Sequence, residues 1–357
     1  MPARSPRVHN GVVKRENPTP VEYTPEDIYR KLDNFVIGQA KAKRTLAIAA
    51  YNHIKRISNE DLLKSGIVKK SNVLLVGPTG CGKTHLARNL AKILDLPFVV
   101  VDATEYTEAG YYGKDVEVMV GELLHKAGGD ASLAEIGIIF VDEIDKVARK
   151  VDPAKTGANG RDIGGEGVQQ GLLRMLEGQK MFVPLNVTQH WNKHDFAEVD
   201  TTNILFICAG TFSDLRQEKR PNKTGFGSSH VKKSGRKVST EDLAKHGLIP
   251  ELIGRLPVIV SMDELTESEM LKVLTGPSDS LVNQYRELLG ADDIELKFED
   301  GSLEEVIALS VKRKVGARGL RGIMEEVMHD YLFNAPKFRG KTVTVTKADV
   351  DKASAEE

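Results

Sequence analysis

The chain has 357 residues, 50 of them basic and 51 acidic, for a net charge of −1, which excludes a polycation that coats nucleic acid through bulk charge. With 40% hydrophobic residues it can bury a sizeable core rather than remain low-complexity disorder, and its length suggests about two domains. Its apolar runs, such as residues 136–141, fall far short of the roughly 18 residues of a membrane span. No apolar stretch follows the basic residues near the N-terminus, so a secretory signal is not expected. The two cysteines, Cys81 and Cys208, fit a reducing cytoplasm rather than a disulfide framework. Neither belongs to a CxxC pair, so no structural zinc site is encoded.

In chain order, residues 1–20 combine prolines and scattered charge without apolar periodicity and read as a flexible arm. Thr24-Pro25-Glu26-Asp27 is a helix start, with proline at the first helical position and acids in the first turn. Five short runs rich in Val and Ile follow, at 73–76, 98–101, 138–141, 204–208 and 258–260, with room for helices between them. Runs apolar on both alternations predict strands buried on both faces of a mostly parallel sheet, hence a helix-covered α/β domain. Between Asp214 and Lys237 lie eight basic residues and two acids, interleaved with glycine, serine and proline, which read as a mobile surface loop. No aromatic or helical recognition element accompanies those charges, so nucleic acid is not the expected partner. Beyond Met262 the pattern becomes amphipathic and helical at 267–274, 280–289, 302–312 and 320–332, with strand candidates at 294–298 and 342–346. The expected organisation is an arm at 1–20, a large nucleotide-binding domain at 21–262 and a small, mainly helical α+β domain at 263–357.

The strongest chemical signal is Gly77-Pro78-Thr79-Gly80-Cys81-Gly82-Lys83-Thr84, which satisfies GxxxxGK[ST] between a strand candidate and a helical pattern beginning at His85. Glycines allow positive φ and close backbone approach, so successive N–H groups can point at phosphate oxygens. Lys83 is placed to neutralise β and γ phosphates, and Thr84 offers a hydroxyl to Mg²⁺. An ordinary glycine-rich turn would need neither flank. The 138–141 run ends in Asp142-Glu143, two carboxylates delivered to the crevice at the sheet's carboxyl edge. Asp142 suits Mg²⁺ and Glu143 an attacking water, so hydrolysis of a nucleotide with Mg²⁺ is implied.

Taken together these residues resemble the AAA+ module of ClpX, a family of bacterial protein unfoldases, from about Pro18 to the C-terminus. Phe35-Val36-Ile37-Gly38-Gln39-Ala40 is similar to the segment that packs Val36 and Ile37 against adenine. Gly254-Arg255, within the run 247–257, resembles the arginine finger, and Gly316-Ala317-Arg318-Gly319-Leu320-Arg321 the sensor-2 motif, which places Arg318 on the phosphates. The resemblance implies an AAA+ P-loop fold and a hexameric ring in which ATP hydrolysis drives protein substrates through a central pore. Tyr111, Tyr112 and Gly113 occupy the position of the gripping pore loop, with Tyr112 and Lys114 departing from the family's aliphatic and acidic residues. Arg161–Gly167 resembles the second pore loop, and Asn192-Lys193-His194 an entrance loop with one positive charge missing. Thr224-Gly225-Phe226 stands where the family docks on the ClpP peptidase through an aliphatic residue, Gly and Phe; Thr224 removes buried area and adds a hydroxyl. A stand-alone remodelling chaperone is therefore the alternative reading. The family's N-terminal zinc domain is not part of this sequence.

Overall fold

The computed structural model describes residues 23–107, 114–149, 165–184, 196–217, 238–277, 279–313 and 315–355. The expected arm at 1–20, Tyr111, Tyr112, Gly113, Asn192-Lys193-His194 and Thr224-Gly225-Phe226 lie outside the described residues, as do 161–164 of the second loop.

All five apolar runs are strands: β1 (Val73–Val76), β2 (Phe98–Asp102), β3 (Ile138–Asp142), β4 (Leu205–Gly210) and β5 (Val258–Ser261). They form one parallel sheet in the order β2-β3-β4-β1-β5. Alternation along each strand sends successive side chains to opposite faces. Leu74, Val76, Ile139, Val141, Phe206 and Cys208 enter one core with the helices Val118–Lys126 and Gly165–Glu177. Val73, Leu75, Ile138, Phe140, Leu205 and Ile207 enter the other with Ala40–Ile57 and Lys83–Leu94. Burial of both parities is why the runs are continuously apolar. A parallel sheet also gathers every strand's carboxyl end on one edge, where the loops after β1, β3 and β4 meet.

Local chemistry sets the helix ends. Thr24 caps Pro25–Asp33 in a capping box with Asp27, as the sequence predicts. The helix expected from His85 starts two residues earlier, at Lys83, because Gly82 turns the chain at φ 94°. The segment read as a loop from Asp214 opens inside a short helix, Ser213–Gln217. An antiparallel ribbon of Lys180–Pro184 with Phe196–Asp200 has no counterpart among the expected strands. In the C-terminal part, helices Glu267–Thr275, Leu281–Gly290, Ser302–Lys312 and Gly316–Phe333 share a third core with the parallel pair Glu295–Phe298 and Thr342–Val345.

One buried group makes stability depend on pH. His53, 4% exposed on the helix Ala40–Ile57, donates from Nε2 to the Ile136 carbonyl at 3.0 Å. Burial, with Arg56 and Lys70 adding repulsion, lowers its pKa to about 4. The unfolded chain therefore binds this proton more readily than the fold does. The contribution is complete above the ordinary imidazole pKa and is lost as pH falls from about 6.5 towards 4, by up to about 3 kcal/mol. Urea unfolding across this range is expected to show the loss, and His53→Gln to flatten it; an unchanged slope in the variant would assign it elsewhere.

Candidate active site

The loop after β1 is held from below: Gly77 N–H donates to the Gly210 carbonyl at 3.1 Å, and Met262 N–H to the Val76 carbonyl at 2.7 Å. Gly80 (φ 79°) and Gly82 (φ 94°) then reverse the chain into Lys83–Leu94. The first turn of that helix carries no acid, so nothing on it competes for its positive end. Lys83 folds back into the loop, its Nζ 2.8 Å from the Gly77 carbonyl and 2.9 Å from that of Pro78. The side chain is 8% exposed, so its charge rests on carbonyl dipoles with a donor position still to offer.

Opposite the loop, β3 ends at Asp142. Thr84 Oγ1 donates to Asp142 Oδ2 at 3.1 Å, and Glu143 N–H to Asp142 Oδ1 at 2.9 Å. Glu143 has φ 55°, a left-handed conformation costing a non-glycine residue about 1 kcal/mol. That turn breaks the strand after Asp142, and Glu143 lines the cavity. Just beyond it Asp145 is buried, with Oδ2 accepting from Thr211 Oγ1 at 2.7 Å and from Phe212 N–H at 3.3 Å.

These groups line a cavity of about 810 Å³, within the range of about 300–1,000 Å³ usual for small-molecule sites. One end is polar, with Thr79, Gly80, Cys81, Gly82, Lys83, Thr84, His85, Asp142 and Glu143; the other is apolar, with Val36, Ile37, Leu265, Val273 and Leu281. Gly77 and Pro78 do not line it and act through the carbonyls that hold Lys83. Arg318 and Arg321 close it from the helix Gly316–Phe333, and Arg321 Nη2 donates to Gln284 Oε1 at 3.0 Å. The approach is close enough that a Cβ on Gly80 would lie 3.2 Å from the Arg318 backbone nitrogen.

Gln39 has no role that the sequence motif assigns, and the structure gives it one. At φ 51°, its Nε2 donates to the Asp263 carbonyl at 2.7 Å and to that of Cys81 at 3.4 Å, while its Oε1 accepts from Asp263 N–H at 3.2 Å. The Val36-Ile37 segment is thereby fastened both to the phosphate loop and to the exit of β5. Leu265, Val273, Leu281, Thr211 and Asp145 line the cavity without a sequence signal: at Val273 and Leu281 helical periodicity does not separate a cavity wall from core, and Leu265, Thr211 and Asp145 lie outside those helices.

Arg255 is the one predicted catalytic residue that the fold keeps out of this cavity. It follows the helix Pro250–Gly254, and its Nε and Nη2 donate to Glu177 Oε1 at 3.1 and 2.7 Å. Its side chain is 43% exposed.

The donor set suits Mg²⁺. The paired hydroxyl and carboxylate of Thr84 and Asp142 are hard oxygens, and Mg²⁺ characteristically takes one or two protein oxygens plus substrate phosphates and water. Among the described residues no cluster of three or more His, Cys, Asp or Glu could cage a metal by itself, so such an ion would share its ligands with a nucleotide. Cys81 and Cys208 are both buried and neither forms a disulfide; burial raises the Cys208 thiol to about 12, which makes it a packing group rather than a nucleophile.

A phosphate loop, an acidic strand end and an arginine from a second helical unit over one cavity define a P-loop ATPase of the AAA+ class. Residues 68–259 match the family described as AAA domain (Cdc48 subfamily), and residues 265–346 match the C-terminal, D2-small domain, of ClpB protein. The ATP-dependent Clp protease ATP-binding subunit ClpX of Treponema denticola is 42% identical over 93% of this chain and 82% of its own length. The subunit ClpX 2 of Wolinella succinogenes is 42% identical over 91% of this chain and 81% of its own, and ClpX of Borrelia duttonii 44% over 92% and 78%. The chain belongs to the ClpX family of AAA+ ATPases. No helix among the described residues is long and apolar enough to cross a membrane.

Proposed function

We propose that the chain unfolds proteins: copies of it assemble as a ring of six, each hydrolysing ATP at a seam between neighbours and drawing polypeptide through the centre. In this reading residues 21–262 form the nucleotide-binding domain and 263–357 the small domain. The observation that carries it is the separation of the arginines: Arg318 lines the chain's own cavity, whereas Arg255 lies outside it on an exposed face. A guanidinium placed there completes a site only when a second copy brings its cavity alongside.

The reaction is hydrolysis of the γ-phosphoryl group. A water oxygen attacks the phosphorus, the bond to the β–γ bridging oxygen breaks with its electron pair leaving on ADP, and Glu143 accepts the water's proton. Lys83 moves its donors from the loop carbonyls to the β and γ oxygens, and the loop N–H groups hold the same oxygens. Mg²⁺, held by Thr84 and Asp142 directly or through water, would supply charge neutralisation between the phosphates. Val36 and Ile37 offer adenine an apolar slot, Arg318 ties the phosphates to the small domain, and the neighbour's Arg255 stabilises charge as the phosphoryl group departs.

For the polypeptide, Tyr111 with Tyr112 and Gly113 would provide sequence-tolerant aromatic grip. Tyr111→Ala is expected to leave ATP turnover within about two-fold and to slow ATP-dependent unfolding of a tagged fluorescent protein about ten-fold; unfolding at the normal rate would reject the grip. Gly225 and Phe226 would fill an apolar pocket on ClpP. The threonine at 224 favours the second reading, a remodelling chaperone that works alone. Co-purification with ClpP in ATP, lost on Phe226→Ala, supports delivery to the peptidase, and no co-purification supports the chaperone.

A further inference from the structure

The helix Gly165–Glu177 touches both halves of the chemistry. Near its start Gln169 is fully buried and makes three hydrogen bonds: Nε2 donates to the Val147 carbonyl at 2.9 Å and to the Gly247 carbonyl at 3.2 Å, and Oε1 accepts from Ile249 N–H at 2.8 Å. Val147 ends the single turn Ile144–Val147 that begins directly after Glu143. Ile249 is the residue before the helix Pro250–Gly254, which ends at Arg255. One amide therefore joins the segment carrying Glu143 to the segment carrying Arg255. Its two N–H groups and its oxygen are all used, so neither segment can shift against the other without leaving a buried polar group unpaired.

The far end of the same helix repeats the link. Glu177, its last residue, takes the Nε and Nη2 side of the Arg255 guanidinium on a single carboxylate oxygen. That leaves the end-on edge of the fork, with Nη1, available for a phosphoryl oxygen. The Arg255 backbone is pinned too: its carbonyl accepts from Asn72 Nδ2 at 3.0 Å, and Asn72 Oδ1 accepts from Phe206 N–H at 3.3 Å inside the sheet. Gly247 closes the arrangement, since at φ 113° a Cβ there would lie 2.4 Å from the Arg149 carbonyl oxygen.

We propose that Gln169 and Glu177 are positioning residues that couple adjacent ATP sites: the helix between them aligns Arg255 for the neighbour's nucleotide according to the state of this copy's Glu143 segment. The inference rests on the reading of Arg255 as a residue that serves the neighbouring copy. Glu177 presents the arginine, and Gln169 relays movement of Ile144–Val147 to the helix that carries it.

Two copies fused in one polypeptide test this. When the second copy carries Glu143→Gln, only the first copy's sites hydrolyse ATP, and each receives its arginine from a second copy. Adding Glu177→Ala to the second copy is expected to lower turnover per active site about five-fold at unchanged nucleotide affinity. Adding Glu177→Gln, which keeps an acceptor oxygen, should restore part of it. Gln169→Leu in the second copy should act in the same direction, and placed in every copy of an otherwise unmutated protein it should lower the Hill coefficient of the ATP dependence; where that variant melts early, the exposed Glu177 pair decides alone. Arg255→Ala in the second copy is the reference that abolishes turnover. If it does so while Glu177→Ala leaves turnover intact, the coupling is overturned and the arginine's role stands. If Arg255→Ala is itself harmless, both fall.

Discussion

Arg255→Ala is expected to cut ATP turnover about 10³-fold or more, the scale on which an arginine that stabilises departing phosphoryl charge contributes. Nothing in the chain's own cavity would change, because Arg255 is outside it and bonded to Glu177. Nucleotide affinity should therefore move little, and the loss should fall on the chemical step. Phosphate release at saturating ATP, with binding of a fluorescent nucleotide measured in parallel, separates the two. Arg255→Lys should not rescue, since an ammonium cannot hold Glu177 and a phosphoryl oxygen in the same planar geometry. Turnover near normal in the alanine variant would remove the reason for placing hydrolysis at a seam between copies.

Glu143→Gln is expected to lower hydrolysis roughly 10²–10⁴-fold while ATP still binds. The substitution keeps size and polarity but removes the carboxylate that accepts the water's proton. The contacts on which binding depends remain: Lys83 on its loop carbonyls, and Thr84 with Asp142. The left-handed turn at φ 55° is set by the backbone and by the Glu143 N–H bond to Asp142, neither of which needs a charged side chain. Retained binding with lost turnover supports the assignment; hydrolysis at an ordinary rate would transfer the role to another group on the cavity wall.

The polar end of the site was legible in the sequence because its chemistry is local. Eight consecutive residues form the glycine-rich loop, Asp142 ends a strand and Glu143 follows it directly. The apolar end was legible only at Val36 and Ile37, through resemblance. Its remaining walls come from the helices Glu267–Thr275 and Leu281–Gly290, where a residue facing the cavity and one facing the core obey the same periodicity. Gln39, Asp145 and Gln169 escaped for a related reason. Each is a polar residue whose meaning lies in partners far along the chain, as in the Gln39 contact with Asp263 across 224 positions.

By itself the sequence determined which segments become strands buried on both faces and which chemical groups are present: a glycine-rich loop with its lysine, two adjacent acids at a strand end and two arginines. Patterns of apolar residues and the conformational freedom of glycine act over a few residues, so they can be read without a fold. Only the tertiary structure decided the order β2-β3-β4-β1-β5, the approach of Arg318 over Gly80, and the turning of Arg255 away from its own loop onto Glu177. Those outcomes depend on how distant faces pack and on which buried hydrogen bonds can be satisfied together, and no local stretch of chain carries that information.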